Sequence, residues 1–399
     1  MGGYFSSSRG SSFRESQNSG NRYHEMIWSG VKTMDRKRYL HKSHILPFIV
    51  MASLGPKVLT LPRDVSCYAG NDSWLSVILG GTAVLILTWM IYWIMMNYPE
   101  LNLSQIFEAS FGRFFGKLTM VLFGLFNVFA LGMSLRIFAD NISLYLLDKT
   151  PDTVIKGLLV LLCIYALLKG IGTITTTLNI LFPATLIFLF ILLLLPWNKA
   201  ESGNLLPVLH EGILPVVKGS HHVINALSTF FFIGYITPYI RDLKGGGLWG
   251  AAAIGLLIFI YLWIVLMCIL VFGAAETTRL LYPTITLSKS IQLRAQLFER
   301  AESLMMTVWI VNTFAVTLIA SFVAVENMKA LFGTEKKRMM IYVQMTAVYL
   351  LAHIPRSIAV QQRIFRYVDI ATLGVVMLIP AIAGITLLKK RKKSKSSPE

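Results

Sequence analysis

Two short stretches of this sequence decide the fold: SLGPK at residues 53–57 and GYITP at residues 234–238. Each interrupts a long apolar segment at a similar distance from its start, near His44 and near His222 respectively. Proline removes a helix hydrogen bond and clashes with the preceding turn, and glycine lets the backbone unwind. Unwound backbone at membrane depth persists only where it is buried in protein or lines a cavity. The pair therefore predicts a small-molecule or ion site near the bilayer midplane, lined by Ser53, Leu54, Gly55, Lys57, Gly234, Tyr235 and Thr237.

The composition is that of a polytopic membrane protein. Of 399 residues, 55% are hydrophobic and only 14% are charged, where a soluble protein carries about 25% charged residues. A soluble enzyme of this size is thereby excluded. A membrane-spanning helix needs about 20 apolar residues, and ten segments qualify. These predicted spans 1 to 10 lie at 44–69, 74–98, 114–147, 152–169, 172–197, 221–243, 247–273, 303–332, 338–355 and 364–388.

Ten spans divide into two sets of five, which places the two interruptions in the corresponding spans 1 and 6. The predicted fold class is thus an all-α membrane protein with a five-plus-five inverted repeat and with spans 1 and 6 broken. An ordinary proline kink would explain either interruption alone. The matched positions favour the site.

Three regions are predicted along the chain. Residues 1–43 are rich in Ser, Gly, Asn and Arg and are expected to form a disordered cytoplasmic tail. Residues 44–388 form the membrane domain, and residues 389–399 form a basic tail. An even number of spans puts both termini on one side, and the basic residues concentrated there place that side in the cytoplasm. The loop between spans 7 and 8 is also basic and runs against this assignment.

The net charge of +17 is assigned to membrane topology and to contact with anionic lipid headgroups. Nothing resembles a basic groove with interleaved aromatic residues, so nucleic-acid binding is not expected. The three cysteines form no CxxC pair, and the sequence contains no GxSxG motif or Walker loop. The adjacent His221 and His222 are expected on different helix faces, which disfavours a shared metal. We therefore predict no catalytic residues, no cofactor and no metal site.

Several short motifs, in their order and spacing, resemble those of a known family. They are GPKVLTLPR at 55–63, AGNDSW at 69–74, YPE at 98–100, Gly112, GK at 116–117, TP at 150–151, YPT at 282–284, FERAES at 298–303 and WI at 309–310. Over residues 44–388 the chain is similar to the spore germination permeases, the GerAB-like B subunits of nutrient-germinant receptors in endospore-forming bacteria.

The resemblance implies a LeuT-like fold of the amino acid–polyamine–cation carrier type. It also implies a place in the spore inner membrane, recognition of a nutrient such as an amino acid or sugar, and work with an A-type membrane subunit and a lipoprotein C-type subunit. Ion release and germination would follow. One position departs from the family: where a Gly-x-Gly-like pattern is usual at the first break, Lys57 occupies the second glycine position.

Lys57 is the strongest candidate for a functional residue, since an ionisable side chain inside the membrane by default indicates a functional site. It can replace a coupling cation or pair with a substrate carboxylate. Alternatively, it snorkels to the interface or pairs with an acid for structural reasons. Arg136 and Asp140 lie four residues apart on span 3, either as a buried structural pair or as part of a gate or ion path.

Span 8 carries Trp309, Asn312 and Thr313 on one helix face. In carriers of this fold, span 8 packs beside the broken span 1. Asn312 is expected either to orient a ligand amide or carboxylate or to make an interhelical hydrogen bond. Glu326 is expected at the cytoplasmic interface, and the run FFF at 230–232 is expected to pack or to face lipid rather than to form a lid.

Three functions remain on the sequence alone. The first is a nutrient-sensing subunit of a germinant receptor that binds its ligand between spans 1 and 6. The second is a secondary carrier for amino acids or polyamines. The third, a membrane enzyme, has no group of residues to support it.

Overall fold

The computed structural model describes residues 39–147, 149–290, 301–333 and 336–354, and then 360, 363–364, 367–376, 378, 381–382 and 384–385. In these residues the regular structure is helical, apart from one isolated parallel bridge between Leu40 and Ile240. The helices are α1 Ile45–Ser53, α2 Lys57–Ala69, α3 Ser73–Asn97, α4 Leu103–Phe111, α5 Arg113–Tyr145, α6 Asp152–Lys169, α7 Ile171–Leu194, α8 Ile213–Ala226, α9 Ile233–Ile236, α10 Gly246–Arg279, α11 Pro283–Lys289, α12 Ala301–Phe332, α13 Lys337–Leu351 and α14 Tyr367–Val376.

Each predicted span corresponds to helix in the structure. Span 1 is α1 plus α2, spans 2 to 5 are α3, α5, α6 and α7, span 6 begins with α8, and spans 7 to 10 are α10, α12, α13 and α14. The protein is therefore an all-α, multi-pass membrane protein. Among the described residues, five stretches are long and apolar enough to cross a membrane by themselves: Lys57–Asn97, Arg113–Tyr145, Ile171–Lys199, Gly246–Arg279 and Met305–Phe332.

The break in span 1 lies where the sequence predicts it. Helix α1 ends at Ser53 and α2 begins at Lys57. Leu54 leaves helical geometry with φ −83° and ψ 45°. A Cβ on Gly55 would come within 3.3 Å of Val316 Cγ2 on α12, so the small residue lets the unwound backbone approach span 8.

The break in span 6 differs in detail from the prediction. The helix begins at Ile213, not near His222, because Pro215 stands in its first turn, where a missing N–H is tolerated. The regular helix ends at Ala226, earlier than the predicted break at 234–238. The chain then continues through a 3₁₀ turn at Ser228–Phe232, the short α9 and a second 3₁₀ turn at Thr237–Tyr239. The predicted residues thus lie inside a longer irregular segment.

The two halves also share a secondary feature. A short helix follows the second span of each half: α4 lies between spans 2 and 3, and α11 lies between spans 7 and 8. The centre of the bundle is formed in part by span 8, since 78% of the apolar window of α12 is buried against 39% of that of α5.

The first described residues of the chain, 39–43, are bonded to the end of span 6. Tyr39 and Leu40 both donate their backbone N–H to the Tyr239 carbonyl, and Arg241 N–H donates to the Leu40 carbonyl. Lys42 Nζ donates to the Lys244 carbonyl at 2.8 Å. Residues 39–43 therefore belong to the folded domain, fastened to the end of span 6. Residues 1–38 and the predicted tail at 389–399 lie outside the described residues.

Gly116 and Gly157 provide a matched test of the packing. A Cβ on Gly116 would lie 2.3 Å from Glu108 Cα, on the backbone of α4, whereas a Cβ on Gly157 meets nothing within 4 Å. We expect Gly116→Ala to push α4 away from α5 and to destabilise the protein by about 1–3 kcal/mol. Gly157→Ala should be neutral or stabilising by up to about 1 kcal/mol, because alanine favours helix. Thermal unfolding of the purified variants in detergent measures both, and equal unfolding temperatures would contradict the α4–α5 packing.

Candidate functional site

The two breaks meet directly. Ser53, the last residue of α1, shares a hydrogen bond between its Oγ and Thr229 Oγ1, in the 3₁₀ turn that follows α8. On α10, Tyr261 donates its hydroxyl to the Ser53 carbonyl at 2.7 Å. On α11, Thr284 donates its hydroxyl to the Val58 carbonyl at 2.7 Å. Side chains of α10 and α11 thus bond the carbonyls of Ser53 and Val58 on either side of the break, and the Ser53 side chain bonds the turn that follows α8.

Helix ends with partial negative charge and with partial positive charge lie together at this junction. Helix α1 ends at Ser53 with carbonyl groups that carry partial negative charge, and α2 begins at Lys57 with N–H groups that carry partial positive charge. Helix α8 also ends close by, because Thr229, which bonds Ser53, follows its last residue Ala226 within one turn. A small molecule with both a cationic and an anionic group is complementary to such a junction.

Buried polar atoms near the junction lack partners. Among the described residues, neither amide atom of Asn225 has a hydrogen-bond partner in the protein, and the same holds for Asn312 Oδ1 and Trp309 Nε1. An unsatisfied buried polar group costs about 1–3 kcal/mol, so these positions are suited to a bound ligand or water. Asn225 was not predicted. The signal in the sequence is a polar amide in the last turn of α8. It was missed because the sequence predicts the break of span 6 later, at residues 234–238.

Asn312 is held one helix turn from the break. Val316, four residues further along α12, contacts Gly55, and residues four apart share a helix face. Trp309 is buried and stacks on Phe138 of α5 with ring centroids 5.9 Å apart. Thr313 instead donates its hydroxyl to the Trp309 carbonyl at 2.8 Å. Of the predicted face on span 8, Asn312 and Trp309 therefore keep polar atoms available, whereas the Thr313 hydroxyl is used within its own helix.

Lys57 forms an ion pair. Its Nζ lies 2.8 Å from Asp369 Oδ2 on α14 and 3.8 Å from Asp64 Oδ2 on α2. The side chains of Lys57 and Asp369 are 21% and 18% exposed. Of the sequence alternatives, pairing with an acid is the one present in this conformation. Asp64 and Asp369 were missed, although both lie inside predicted spans and are therefore ionisable residues at membrane depth.

Arg136 and Asp140 belong to a larger network. Arg136 Nε lies 2.9 Å from Asp140 Oδ1, and Arg136 Nη1 lies 3.2 Å from Asp152 Oδ2 on α6. Fully buried Lys156 reaches the same Asp152 oxygen at 2.7 Å. Two cations and two carboxylates thus join α5 to α6 with no net charge, an arrangement that fits the structural alternative for this pair.

The predicted residues of the second stretch pack elsewhere. Tyr235 is fully buried, and its hydroxyl lies 2.7 Å from Ser104 Oγ on α4. Ser104 in turn donates to Asn327 Oδ1 on α12 at 2.6 Å. A Cβ on Gly234 would lie 3.0 Å from Leu103 Cβ. Gly234 and Tyr235 therefore join span 6 to α4 and α12 rather than to the break, while buried Thr237 Oγ1 has no partner among the described residues.

Further contacts join α12 to spans 1 and 6 at the end of the bundle where span 1 begins. Phe322 of α12 packs against Phe48 of α1 and Tyr239 of span 6, with ring centroids 6.4 and 6.0 Å apart. The FFF run at 230–232 is buried, as expected for packing residues. Glu326 is not interfacial, since it is 3% exposed and its Oε1 lies 3.1 Å from Lys329 Nζ. The ion pair with Lys329 lets its carboxylate stay in the protein interior.

Two further expectations concern metals. The rings of His221 and His222 lie with centroids 3.9 Å apart, so they do not diverge as predicted. The ring of Tyr68 packs on both, at 5.5 and 5.2 Å, and this shared aromatic neighbour explains why the two rings lie together. Within the part of the chain that the structure describes, no group of three or more His, Cys, Asp or Glu residues is arranged to hold a metal ion.

Sequence comparisons identify relatives of the chain. A family model described as "Spore germination protein" matches residues 39–360. Spore germination protein YndE of Bacillus subtilis is 24% identical over 77% of this chain and 85% of its own. Spore germination protein A2 of the same organism is 26% identical over 76% and 84%, respectively. Spore germination protein GerLB of Bacillus cereus is 26% identical over 85% and 91%.

Solved structures share the fold. Mhp1, a nucleobase-cation-symport-1 family transporter solved in a closed conformation with bromovinylhydantoin bound, matches with a TM-score of 0.67 and 12% identity, over 92% of this chain and 82% of that chain. MhsT in complex with L-phenylalanine matches with a TM-score of 0.65 and 13% identity, over 88% and 89%. The likeness confirms the predicted LeuT-like fold class with spans 1 and 6 interrupted.

The Lys57–Asp369 pair can be tested by a double-mutant cycle. Lys57→Met and Asp369→Asn each leave one partly buried charge without its main partner, and each should destabilise the protein by about 1–3 kcal/mol. The double variant should lose less than the sum of the two, with a coupling of about 0.5–3 kcal/mol. Thermal unfolding of the purified proteins measures the cycle. Strict additivity would mean that the two residues do not interact.

Proposed function

Because the chain belongs to the spore germination protein family, we propose that it is the nutrient-recognising membrane subunit of a germinant receptor. The ligand is a small nutrient, such as an amino acid, bound at the junction of spans 1 and 6. Its binding triggers germination with ion release. The protein acts by binding and conformational change and performs no catalytic chemistry.

The single observation that carries this proposal is the meeting of the two breaks, through Ser53 and Thr229, beside unpartnered polar atoms of Asn225, Asn312 and Trp309. Helix ends of both signs suit the ammonium and carboxylate of an amino acid. The stacked rings of Trp309 and Phe138 offer an apolar surface to its side chain. Lys57 is already neutralised by Asp369, so its role is to hold span 1 to span 10 in the closed arrangement.

The response follows from the closed end of the bundle. Tyr235, Ser104 and Asn327 join span 6 to α4 and α12, and Tyr39 and Leu40 fasten the start of span 1 to Tyr239. Opening that end requires these contacts to break together. A nutrient shifts the equilibrium only by the difference between its affinities for the closed and open states. The movement would be passed to an A-type membrane subunit and a lipoprotein C-type subunit.

The location follows from the same role. We place the protein in the spore inner membrane with both termini in the cytoplasm, in accordance with the basic residues on the terminal side. The end of the bundle at which Tyr39 and Leu40 bond Tyr239 then faces the cytoplasm. The Lys57–Asp369 pair lies toward the opposite side of the membrane.

A secondary carrier for amino acids or polyamines is the second candidate. The observation that favours it is the likeness to Mhp1 and MhsT, both solved with a small molecule bound. A carrier expressed alone drives saturable, gradient-coupled uptake, and a receptor subunit does not. Uptake of labelled amino acids by vesicles that contain only this chain distinguishes the two.

The site itself is tested in spores. Replacing the gene with Asn312→Ala or Asn225→Ala should raise the nutrient concentration for half-maximal germination by about 5- to 150-fold, because each leaves a buried polar group of the ligand without its partner, at a cost of about 1–3 kcal/mol. Thr313→Val is the matched control on the same helix, since its hydroxyl is bound to its own backbone. Ion release and loss of refractility are followed against a panel of amino acids and sugars.

The control should stay within about twofold of wild type, because a hydroxyl bonded within its own helix adds little to ligand binding. Equal shifts for the three variants would indicate general destabilisation, and protein levels measured in the spore membrane fraction would show it. Unchanged responses for both asparagine variants would place the nutrient elsewhere. Normal germination after deletion of the gene, with loss of solute uptake in growing cells, would favour the carrier.

A further inference from the structure

Helix α8 carries a second unpartnered polar side chain one turn before Asn225. Both ring nitrogens of His222 are buried, and neither has a hydrogen-bond partner among the described residues. Residues three apart on a helix are neighbours on its surface, so His222 and Asn225 share a face of α8, about 4.5 Å apart along its axis. The unpartnered polar groups near the junction therefore continue along α8, away from its end at Ala226.

The imidazole of His222 packs against two other rings. The centroid of the His221 ring lies 3.9 Å from that of His222, and the centroid of the Tyr68 ring of α2 lies 5.2 Å from it. His221 has a polar contact of its own, since its Nδ1 is within hydrogen-bond distance of the Lys218 carbonyl. Of the two adjacent histidines, His222 is thus the one whose ring nitrogens are both buried and without a partner.

The charged groups around His222 balance one another. Asp64, Lys57 and Arg63 of α2 interact electrostatically with the ring. The Asp64 carboxylate lies 3.8 Å from Lys57 Nζ and 3.5 Å from Arg63 Nη2, and Lys57 Nζ lies 2.8 Å from Asp369 Oδ2. Two cations and two carboxylates are thus paired in this part of the described structure. A charged group of a ligand finds no surplus countercharge among them, so a neutral polar group matches the site better.

The chemistry of imidazole points to the same class of group. A neutral imidazole has one N–H donor and one nitrogen acceptor. Hydroxyl and carboxamide groups both donate and accept hydrogen bonds, so they pair with whichever ring nitrogen of His222 faces them. An apolar ligand side chain would leave the buried nitrogens unsatisfied, which disfavours its binding.

We propose that His222 is a specificity-determining residue of the ligand site and selects amino acids whose neutral side chain ends in a hydroxyl or carboxamide. This inference rests on the proposed function and narrows its ligand class. The ammonium and carboxylate groups of the amino acid lie at the helix ends of the junction. The polar end of its side chain reaches one turn along α8 to His222.

The test measures the binding of four amino acids to the purified full chain in detergent by isothermal titration calorimetry. L-threonine and L-valine have nearly the same shape and differ by a hydroxyl, and L-asparagine and L-leucine differ by a carboxamide. Wild type should bind threonine more tightly than valine, and asparagine more tightly than leucine. Each ratio should be about 5- to 150-fold, the range expected for one buried polar group left without a partner.

His222→Phe keeps an aromatic ring beside Tyr68 but removes both nitrogens. It should bring each of the two ratios below about twofold, because the polar ligands then lose their partner. The matched control is His221→Phe, which makes the same chemical change at the adjacent position and should keep both preferences.

The remaining outcomes would contradict the inference. Equal losses of preference in the two variants would indicate a packing effect, and an equal loss of affinity for all four amino acids in His222→Phe would indicate a structural role. The wild-type preference needs no variant, so equal affinities within each pair would overturn this inference while leaving an amino-acid site in place. Binding of none of the four to wild type would contradict the amino-acid ligand of the proposed function as well.

Discussion

Backbone that leaves the helix inside a membrane has to find its hydrogen bonds within the protein, and this constraint organises the whole molecule. On either side of the break in span 1, the Ser53 carbonyl accepts from Tyr261 of span 7 and the Val58 carbonyl accepts from Thr284 of α11, while the Ser53 hydroxyl bonds Thr229 of span 6. Those bonds fix where three other elements stand relative to span 1. The same interruption that needs this support also brings helix ends of opposite sign together at a depth where water cannot screen them.

In this structure the charged side chains pair with one another, whereas some neutral polar side chains near the junction have no partner in the described part of the chain. Each charged side chain named in the sequence analysis of spans 1, 3 and 8 has a countercharge: Lys57 with Asp369, Arg136 with Asp140, and Glu326 with Lys329. The first pair joins span 1 to span 10, the other two lie within one helix, and all three leave little net charge for a ligand. Among the described residues, the polar atoms without a partner near the junction include the neutral amides of Asn225 and Asn312 and the indole N–H of Trp309. Recognition in this account therefore depends on hydrogen bonds and helix dipoles, while the ion pairs brace the conformation in which those groups are arranged.

The sequence predicts the architecture well and the second half of the site poorly, for physical reasons. Hydrophobic length alone places the spans apart from the start of span 6, and proline beside glycine is sufficient to place the first break at Leu54–Pro56. The bounds of span 6 are harder to predict. Pro215 is typical of an interruption but stands in the first turn of the helix, and the observed break at Leu227 carries neither glycine nor proline. Tyr235 was expected at the ligand because its hydroxyl lies near that predicted break. Its partner Ser104 is far away in sequence and is brought to it only by the fold.

The proposed function requires a nutrient to occupy the junction of spans 1 and 6 beside Asn312. The rate of thiol labelling at Asn312→Cys, in a chain whose exposed Cys67 has been replaced by serine, measures this occupancy. Nutrients that trigger germination should slow the labelling, at concentrations raised to offset the weaker binding expected without Asn312, and inactive analogues should leave it unchanged. Equal labelling rates with and without an active nutrient at such concentrations would mean that the nutrient binds elsewhere.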